Sequence, residues 1–168
     1  MPTPEPAVLS SPIGYLSVPA LRPEGAPSAR TPSAPARLPF LAMHYSVSRE
    51  PRGLEDRQTC ILGDVVITRS SDALSAVFAG LCASGQALSE VELSVVGGGG
   101  GEIQRLVMRD VIVSGFQFVA DPTGGTVSEV IRLRYAECDV SGYSRDADGT
   151  LSRSERASWR AEAHELAM

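Results

Sequence analysis

One acidic segment of this chain, residues 144–155, combines residue types whose spacing could bind a metal ion. Five of its members stand at positions 3, 5, 6, 8 and 12 of an EF-hand calcium loop: Asp146, Asp148, Gly149, Leu151 and Glu155. Position 1, which normally supplies an aspartate ligand, is Ser144, and the residues before it alternate as in a strand. The segment therefore favours a polar hairpin turn, and a calcium- or ligand-binding module is the alternative function.

Covalent catalysis would need a nucleophile beside a base, and the only histidines are His44 and His164. His44 stands on the polar side of a strand pattern and His164 lies near the end of the sequence, so both are interpreted as surface or interface residues. The three cysteines, at positions 60, 82 and 138, form no CxxC pair, which gives no support to a zinc or redox site. We expect no catalytic residue, no cofactor and no enzymatic activity.

Five consecutive glycines, Gly97–Gly101, could suggest a loop that binds phosphate. Such a loop needs a Lys-Ser/Thr pair or a helix directly after it, and Glu102 with a strand-like pattern follows here instead. The glycines are therefore interpreted as a flexible hairpin turn.

The composition limits the partners of this chain. Its formal net charge of −5 argues against nucleic acid and anionic membranes, because both require a basic face. No apolar run approaches the roughly 20 residues that span a bilayer, and no basic, apolar leader of the secretory kind precedes Arg22. We expect a reducing compartment, and export only through a dedicated machine.

The patterning predicts many strands and one helix. Val65–Arg69 is a β-branched run, and residues 70–72 offer helix N-cap side chains. Leu74, Val77, Phe78 and Leu81 then recur at helical spacing and Gly85 follows them. Strand-like alternation marks six further stretches: residues 13–18, 40–47, 90–96, 106–118, 131–135 and 136–140. The one-residue shift of phase near position 136 indicates a bulge or a strong twist.

The chain is expected to form one domain. Residues 1–12 are a Pro-rich leader, which we expect to be poorly ordered, and residues 13–168 form the domain. Within it, residues 19–39 are rich in Pro and Ala and are interpreted as a long surface excursion. Residues 48–59 are interpreted as a charged loop.

The order of these elements resembles the Hcp family, the haemolysin-coregulated proteins of type VI secretion systems. The similarity extends over nearly the whole chain from Ile13. It rests on residues 14–21, on Phe40–Ser48, on the strand and helix from Val66 to Gln86, on residues 110–114 and 128–133, and on residues 146–149. Ser128-Glu129 stands where the family has Thr-Glu.

The resemblance implies a small β-barrel of two packed antiparallel sheets with one flanking α-helix. Six copies would form a ring, and stacked rings would form the hollow inner tube of a contractile injection machine, with effector cargo inside. The implied partners are other copies of the chain together with sheath, spike and effector proteins. The implied location is the bacterial cytoplasm during assembly, followed by secretion outside the cell or into a target cell without a cleaved signal peptide.

Two sets of residues are expected to serve assembly. In the family, the long loop after the second strand reaches the adjacent ring, which assigns ring stacking here to Arg49, Glu50, Arg52, Leu54, Glu55 and Arg57. Mixed charges at the rim of an interface mainly fix register, and one apolar residue can anchor the contact. Arg132 and Arg134 share one strand face. Three interpretations of that pair stay open: a tube lumen, an ion pair with a neighbour, or a solvated face.

Overall fold

A computed structural model describes residues 11–19, 37–49, 60–120, 127–146 and 148–160. These residues form eleven strands and one helix. In chain order they are β1 (Gly14–Ser17), β2 (Arg37–Phe40), β3 (Ala42–His44), β4 (Val47–Arg49), β5 (Cys60–Leu62), β6 (Val65–Ser70), α1 (Ser75–Ser84), β7 (Leu88–Val96), β8 (Glu102–Ala120), β9 (Val127–Arg134), β10 (Glu137–Arg145) and β11 (Leu151–Arg160). The prediction of a mainly β chain with one helix is confirmed for this part of the chain.

Nine of the strands form one antiparallel sheet, and β4 pairs with β5 in a second, two-stranded sheet. The main path runs β2-β1-β7-β8-β9-β6-β3, and β10 adds to β8 and β11 to β10. The large sheet has two halves, and β8 belongs to both. Residues up to Val111 pair with β7, and residues from Ile112 pair with β9. The core therefore lies between two halves of one sheet that share a long strand.

The backbone of β8 changes conformation at Asp110, where its two halves meet. Asp110 has φ 51, a left-handed conformation that an Asp side chain tolerates better than most. Before it, Leu106 and Met108 face the core, and after it Val111 and Val113 do. The side-chain alternation thus slips by one residue at Asp110, although the pairing of β8 with β7 keeps the same register on both sides of it. The register of β8 against β9 shifts between Val113 and Gly115, although β8 itself continues without a break to Ala120.

Several expected boundaries were wrong in detail. The strand expected over residues 40–47 is three short strands, interrupted at Leu41 and again before Val47. The surface excursion was expected to extend to Pro39, but β2 already begins at Arg37. The phase shift near position 136 is a break between β9 and β10 rather than a bulge within one strand. Residues 1–10, 20–36 and 121–126 lie outside the described residues, as does most of the expected loop over residues 48–59.

The single described helix packs Phe78 and Leu81 into the core. Val77, also expected on the buried stripe, is instead 39% exposed. The N-cap is Leu74 rather than one of residues 70–72, but Asp72 still supplies the cap because its Oδ1 accepts the Leu74 N–H at 2.8 Å. Gly85 ends the helix at φ 65, as predicted, and its N–H donates to the Leu81 carbonyl at 3.0 Å.

The core joins residues from both halves of the sheet. Leu16, Leu93 and Leu106 come from one half and Ile67, Ile131 and Leu133 from the other, each no more than 1% exposed. Because side chains alternate along a strand, the residues directly before and after these core residues face outward. That outward face carries most of the charge discussed below.

Candidate functional site: the charged face

The outward side of β2, β1, β7, β8, β10 and β11 carries a dense set of ionisable side chains. We call it the charged face. Its basic members are Arg37, Arg105, Arg109, Arg156 and Arg160, and its acidic members are Glu90, Glu92, Glu102, Glu137 and Asp139. The chain contains no lysine, so every basic contact here uses a planar guanidinium that can bind a carboxylate at two points.

Arg109 lies at the centre of the charged face. Its Nη1 donates to Asp139 Oδ2 at 2.9 Å, and its Nε lies 3.8 Å from a Glu90 carboxylate oxygen. Oε2 of Glu137 on β10 lies 4.0 Å from Nη1 of Arg109. The hydrogen bond to Asp139 raises the pKa of the Arg109 guanidinium above its usual value. Arg109 therefore ties β7 to β10 across its own strand.

Asp139 receives three donors. The Ser158 hydroxyl hydrogen-bonds Oδ1, Arg109 donates to Oδ2, and Arg156 Nη2 lies 3.3 Å from Oδ1. The bond from Ser158, followed by the bond from Arg109, lowers the pKa of Asp139 from 3.8 to about 2. This carboxylate is thus held ionised at any physiological pH.

The remaining acidic residues pair in the same way. Arg105 Nε lies 3.0 Å from Glu102 and 3.5 Å from Glu92, and Arg160 pairs with Glu137. All five carboxylates of the charged face therefore have an arginine partner. Exposed pairs of this kind contribute about 0–1 kcal/mol each, so their main effect is a hydrated surface with little net charge.

A second ionic cluster lies inside the molecule, at the start of α1. Arg69 on β6 donates from Nη1 to Glu129 Oε1 on β9 at 3.0 Å, and it also pairs with Asp72. Its guanidinium lies 5.7 Å from the centre of the Phe78 ring. Arg69 therefore connects two strands to the first turn of the helix. Neither Arg69 nor Glu129 was singled out as a functional residue from the sequence.

The large apolar side chains exposed in the described residues lie mostly away from the centre of the charged face. Phe118, Val119 and Val127, at 57%, 38% and 42% exposure, lie together at the end of the β8–β9 hairpin, which we call the apolar end. Val47 and Ile61 are exposed on the two-stranded sheet, and Ile13 and Ile103 near strand ends. Apolar anchors of this size are what protein interfaces use.

Arg132 and Arg134 do lie on one exposed face of β9, as expected. Arg134 Nε lies 3.1 Å from Asp64 Oδ1 of the same chain. Arg132 has no ion-pair partner among the described residues, and its side chain lies against Gly115. Their role in a lumen or between subunits stays a prediction.

The ring-stacking residues fall largely outside the described part of the chain. Arg49 is the last residue of β4 and pairs with Cys60 of β5, but its side chain is not described. Residues 50–57, which include Glu50, Arg52, Leu54, Glu55 and Arg57, lie outside the described residues. Their assignment stays a prediction.

The segment considered as a calcium loop forms a β-hairpin. Asp146 N–H donates to the Thr150 carbonyl at 2.9 Å, and Thr150 N–H donates to Asp148 Oδ1 at 2.9 Å. The bonds from Thr150 lower the pKa of Asp148. Glu155 lies in β11 opposite Gly142, on a strand rather than a helix. The predicted polar hairpin turn is confirmed, and the two strands replace the helices that flank an EF-hand loop.

The glycine run, the cysteines and the histidines were the other features considered for chemistry. The glycine run joins β7 to β8 through a bond from Gly97 N–H to the Gly101 carbonyl at 2.9 Å, which confirms the hairpin turn. Cys138 is buried, and burial raises the pKa of its thiol to about 12. His44 is exposed on β3, and His164 lies outside the described residues. Among the described residues, no group of three or more His, Cys, Asp or Glu side chains could hold a metal ion.

Comparison with known proteins identifies the family. A family model described as "Type VI secretion system effector, Hcp" matches residues 40–141, which is more than half of the 168 residues. This chain belongs to the Hcp family. It is therefore a member of a family of type VI secretion tube proteins, and the resemblance found in the sequence is confirmed. No curated protein sequence matches the chain significantly.

Solved structures of type VI secretion proteins share the fold of this chain. One described as a type six secretion system protein is 17% identical, with a TM-score of 0.71, over 88% of this chain and 94% of that one. Hcp1 from Salmonella typhimurium is 12% identical, with a TM-score of 0.67, over 90% and 95% of the two chains. A type VI secretion system effector from Yersinia pestis is 13% identical, with a TM-score of 0.66, over 88% and 98%. No helix in the described residues of this Hcp protein is long and apolar enough to cross a membrane.

Proposed function

We propose that this Hcp protein is the structural subunit of a type VI secretion inner tube. Six copies form a ring, rings stack into a hollow tube, and the subunit is exported with effector cargo inside the ring. The observation that carries the proposal is the family match over residues 40–141. The role is structural, in keeping with the family.

We further infer that residues 13–168 form one domain whose large sheet closes into a barrel. The two ends of the sheet path, β2 and β3, are separated in sequence by Leu41 alone, and the Leu41 N–H donates to the Thr68 carbonyl of β6 at 2.8 Å. Because β2 pairs with β1 and β3 pairs with β6, the short connection between β2 and β3 supports closure at this point. A closed sheet leaves fewer edges open to unwanted pairing.

A closed ring needs two different complementary surfaces on each subunit. The apolar end, with Phe118 more than half exposed, supplies the kind of anchor found at interface centres. The charged face is less suited to such a contact, because its carboxylates already pair with arginines of the same chain. We therefore infer that contact between neighbouring subunits uses the apolar end.

Ring stacking is assigned to Arg49, Glu50, Arg52, Leu54, Glu55 and Arg57 on the segment after β4. Leu54→Asp, and separately Arg52→Glu with Arg57→Glu, are expected to leave single rings intact and to abolish tubes and secretion. A suitable control is Gln86→Asp, which adds one charge at an exposed residue after α1. Normal stacking and export of the stacking variants would show that the segment is only a solvated loop.

The other parts of the proposal follow from the tube. Arg132 and Arg134 line the lumen or contact a neighbouring subunit, and sheath, spike and effector proteins are the external partners. The protein assembles in the bacterial cytoplasm and is then secreted.

Electron microscopy of the purified protein tests the proposal, first as isolated and then after EDTA treatment. Annular particles that persist in EDTA are expected, since assembly here uses no metal. Loss of the rings in EDTA with recovery on adding calcium would favour the calcium-binding alternative. Absence of rings under every condition would contradict the tube.

A further inference from the structure

The two-stranded sheet of β4 and β5 is separate from the large sheet. β4 pairs with β5 and, in the part of the chain that the structure describes, with no strand of the large sheet. We call this pair of strands the ribbon, and the segment between them carries residues assigned to ring stacking. Because backbone hydrogen bonds of a shared sheet do not fix the direction of the ribbon, side-chain contacts near its base gain importance.

The ribbon leaves the large sheet where Ser46 and Gly63 face each other. The Gly63 N–H donates to the Ser46 carbonyl at 2.9 Å, and a Cβ on Gly63 would collide with the Ser46 hydroxyl oxygen. Just before β4, the Tyr45 hydroxyl accepts a hydrogen bond of 3.1 Å from the side-chain amide of Gln104 on β8. The base of the ribbon is therefore narrow, and its first strand has a contact with the large sheet.

Asp64 supplies the corresponding contact on the β5 side. This residue directly follows Gly63 and directly precedes β6. Its Oδ2 accepts the Ser114 hydroxyl of β8 at 2.7 Å, and its Oδ1 accepts the Arg134 Nε–H of β9 at 3.1 Å. Hydrogen bonds to an ionised carboxylate are stronger than those between neutral groups. The Asp64 carboxylate thus ties the base of the ribbon to two strands of the large sheet.

The position of Ser114 comes from the irregular register of β8. The strand advances from Val113 to Gly115 while β9 advances by one residue, so Ser114 is extra and has no partner in the β9 ladder. An extra residue of this kind can redirect a side chain. Its hydroxyl lies 2.7 Å from Asp64 and, farther away, 3.3 Å from the Arg132 carbonyl oxygen. The register shift therefore supplies one of the two donors to Asp64.

We propose that Asp64 is a positioning residue that sets the direction of the ribbon, with the Ser114 hydroxyl and the Arg134 guanidinium holding its carboxylate. A ribbon of fixed direction presents the stacking residues in one place before the next ring arrives. Less conformational entropy is then lost when two rings meet. The part of this proposal that concerns stacking rests on the proposed tube, and the part that concerns the direction of the ribbon does not.

The direction of the ribbon is tested by the distance between two spin labels, measured by pulsed electron paramagnetic resonance. The labels are placed at Ser48→Cys on the ribbon and at Gln86→Cys after α1, both exposed positions. Cys60→Ser and Cys82→Ser remove the other accessible thiols, and Cys138 is buried. Labelled chains are diluted with an excess of unlabelled chains before assembly, so that distances within one chain are measured. One narrow distance distribution is expected.

Asp64→Ala should broaden this distribution, and so should Ser114→Ala. Asp64→Asn, which keeps an acceptor for the Ser114 hydroxyl, should lie between Asp64→Ala and the natural protein. Glu90→Ala is the matched control, because it also removes a carboxylate that pairs with an arginine at the surface, and it should leave the distribution narrow. Exposed ion pairs contribute little to stability, so Asp64→Ala and Glu90→Ala should have similar melting temperatures.

An unchanged distribution for Asp64→Ala, or equal broadening for Glu90→Ala, would overturn the proposal. A lower melting temperature for Asp64→Ala with an unchanged distribution would show that this residue only stabilises the fold. If Asp64→Ala does not fold, the same comparison is made with Asp64→Asn and Ser114→Ala.

Electron microscopy of the same variants tests the part that rests on the tube. Asp64→Ala is expected to form rings but no tubes, and Glu90→Ala to form both. A broadened distribution together with normal tubes would overturn the role of Asp64 in stacking. If the natural protein forms no ring, the tube proposal fails, while the label distances still decide whether Asp64 sets the direction of the ribbon.

Discussion

Arg69 and Glu129 face each other across β6 and β9 and are both buried, at 1% and 0% exposure. The pair is joined by a hydrogen bond of 3.0 Å between Nη1 and Oε1. Arg69 also pairs with Asp72, which caps the start of α1. One buried guanidinium thus fixes the position of the helix relative to the sheet.

Breaking this pair from one side should be costly. Arg69→Met leaves the buried Glu129 carboxylate without its arginine and is expected to lower the free energy of unfolding by about 3–5 kcal/mol. Glu129→Leu should also be destabilising but less so, because Arg69 keeps its pair with Asp72. The double variant should lose clearly less than the sum of the two. Urea unfolding of all three proteins measures this. Arg134→Met is the control, since its pair with Asp64 is exposed, and single variants no worse than this control would contradict the prediction.

Asp139 should make the protein sensitive to acid. Its pKa is about 2 in the folded chain against an ordinary value of 3.8. As the pH falls, the unfolded state therefore binds this proton at a higher pH than the folded state does. The stabilisation is complete above pH 3.8 and is lost as the pH falls toward 2. Unfolding midpoints measured down to about pH 2 should fall less steeply for Asp139→Asn. The same slope for Asp139→Asn and the natural protein would refute the assignment.

Two glycine substitutions should act in opposite directions. A Cβ on Gly14 would collide with the Ser94 carbonyl oxygen and the Phe40 ring, so Gly14→Ala should lower the melting temperature. A Cβ on Gly80 would meet no atom within 4 Å, and alanine favours an exposed helix position by roughly 0.5–1 kcal/mol. Gly80→Ala should therefore raise the melting temperature. Shifts of the same sign would be inconsistent with this packing.

The cysteines should differ in reactivity. Cys138 is 1% exposed with a pKa of about 12, whereas Cys82 is half-buried at the end of α1. In a Cys60→Ser background, a thiol reagent should modify one cysteine in the folded protein and both in urea. Removing Cys82 as well should leave no rapid reaction. Fast modification of Cys138 in the folded state would show that this strand opens readily.

The sequence predicted elements well where the pattern depends on neighbours along the chain. Phe78, Leu81 and Gly85 mark the helix and its end because helical spacing and a left-handed cap are local properties. The five glycines predict a turn for the same reason. The strand break at Leu41 depends instead on the pairing of β2 with β1 and of β3 with β6. Such pairing joins residues that are far apart in sequence.

The charged pairs could not be predicted because they depend on register. Alternation already indicates that Arg109 and Asp139 face outward, but only the pairing of β8 with β10 brings them within 2.9 Å. Arg69 and Glu129 are 60 residues apart in sequence, and their burial reverses what charge alone would suggest. A count of outward charges on adjacent predicted strands was the available signal for the charged face.

The most direct test of the central claim is the mass of the purified protein in solution, by native mass spectrometry or light scattering. The tube account predicts a particle of six times the 17.7 kDa chain mass, unchanged by EDTA. A protein that stays at the mass of one chain at every concentration, with melting that depends on calcium, would contradict it.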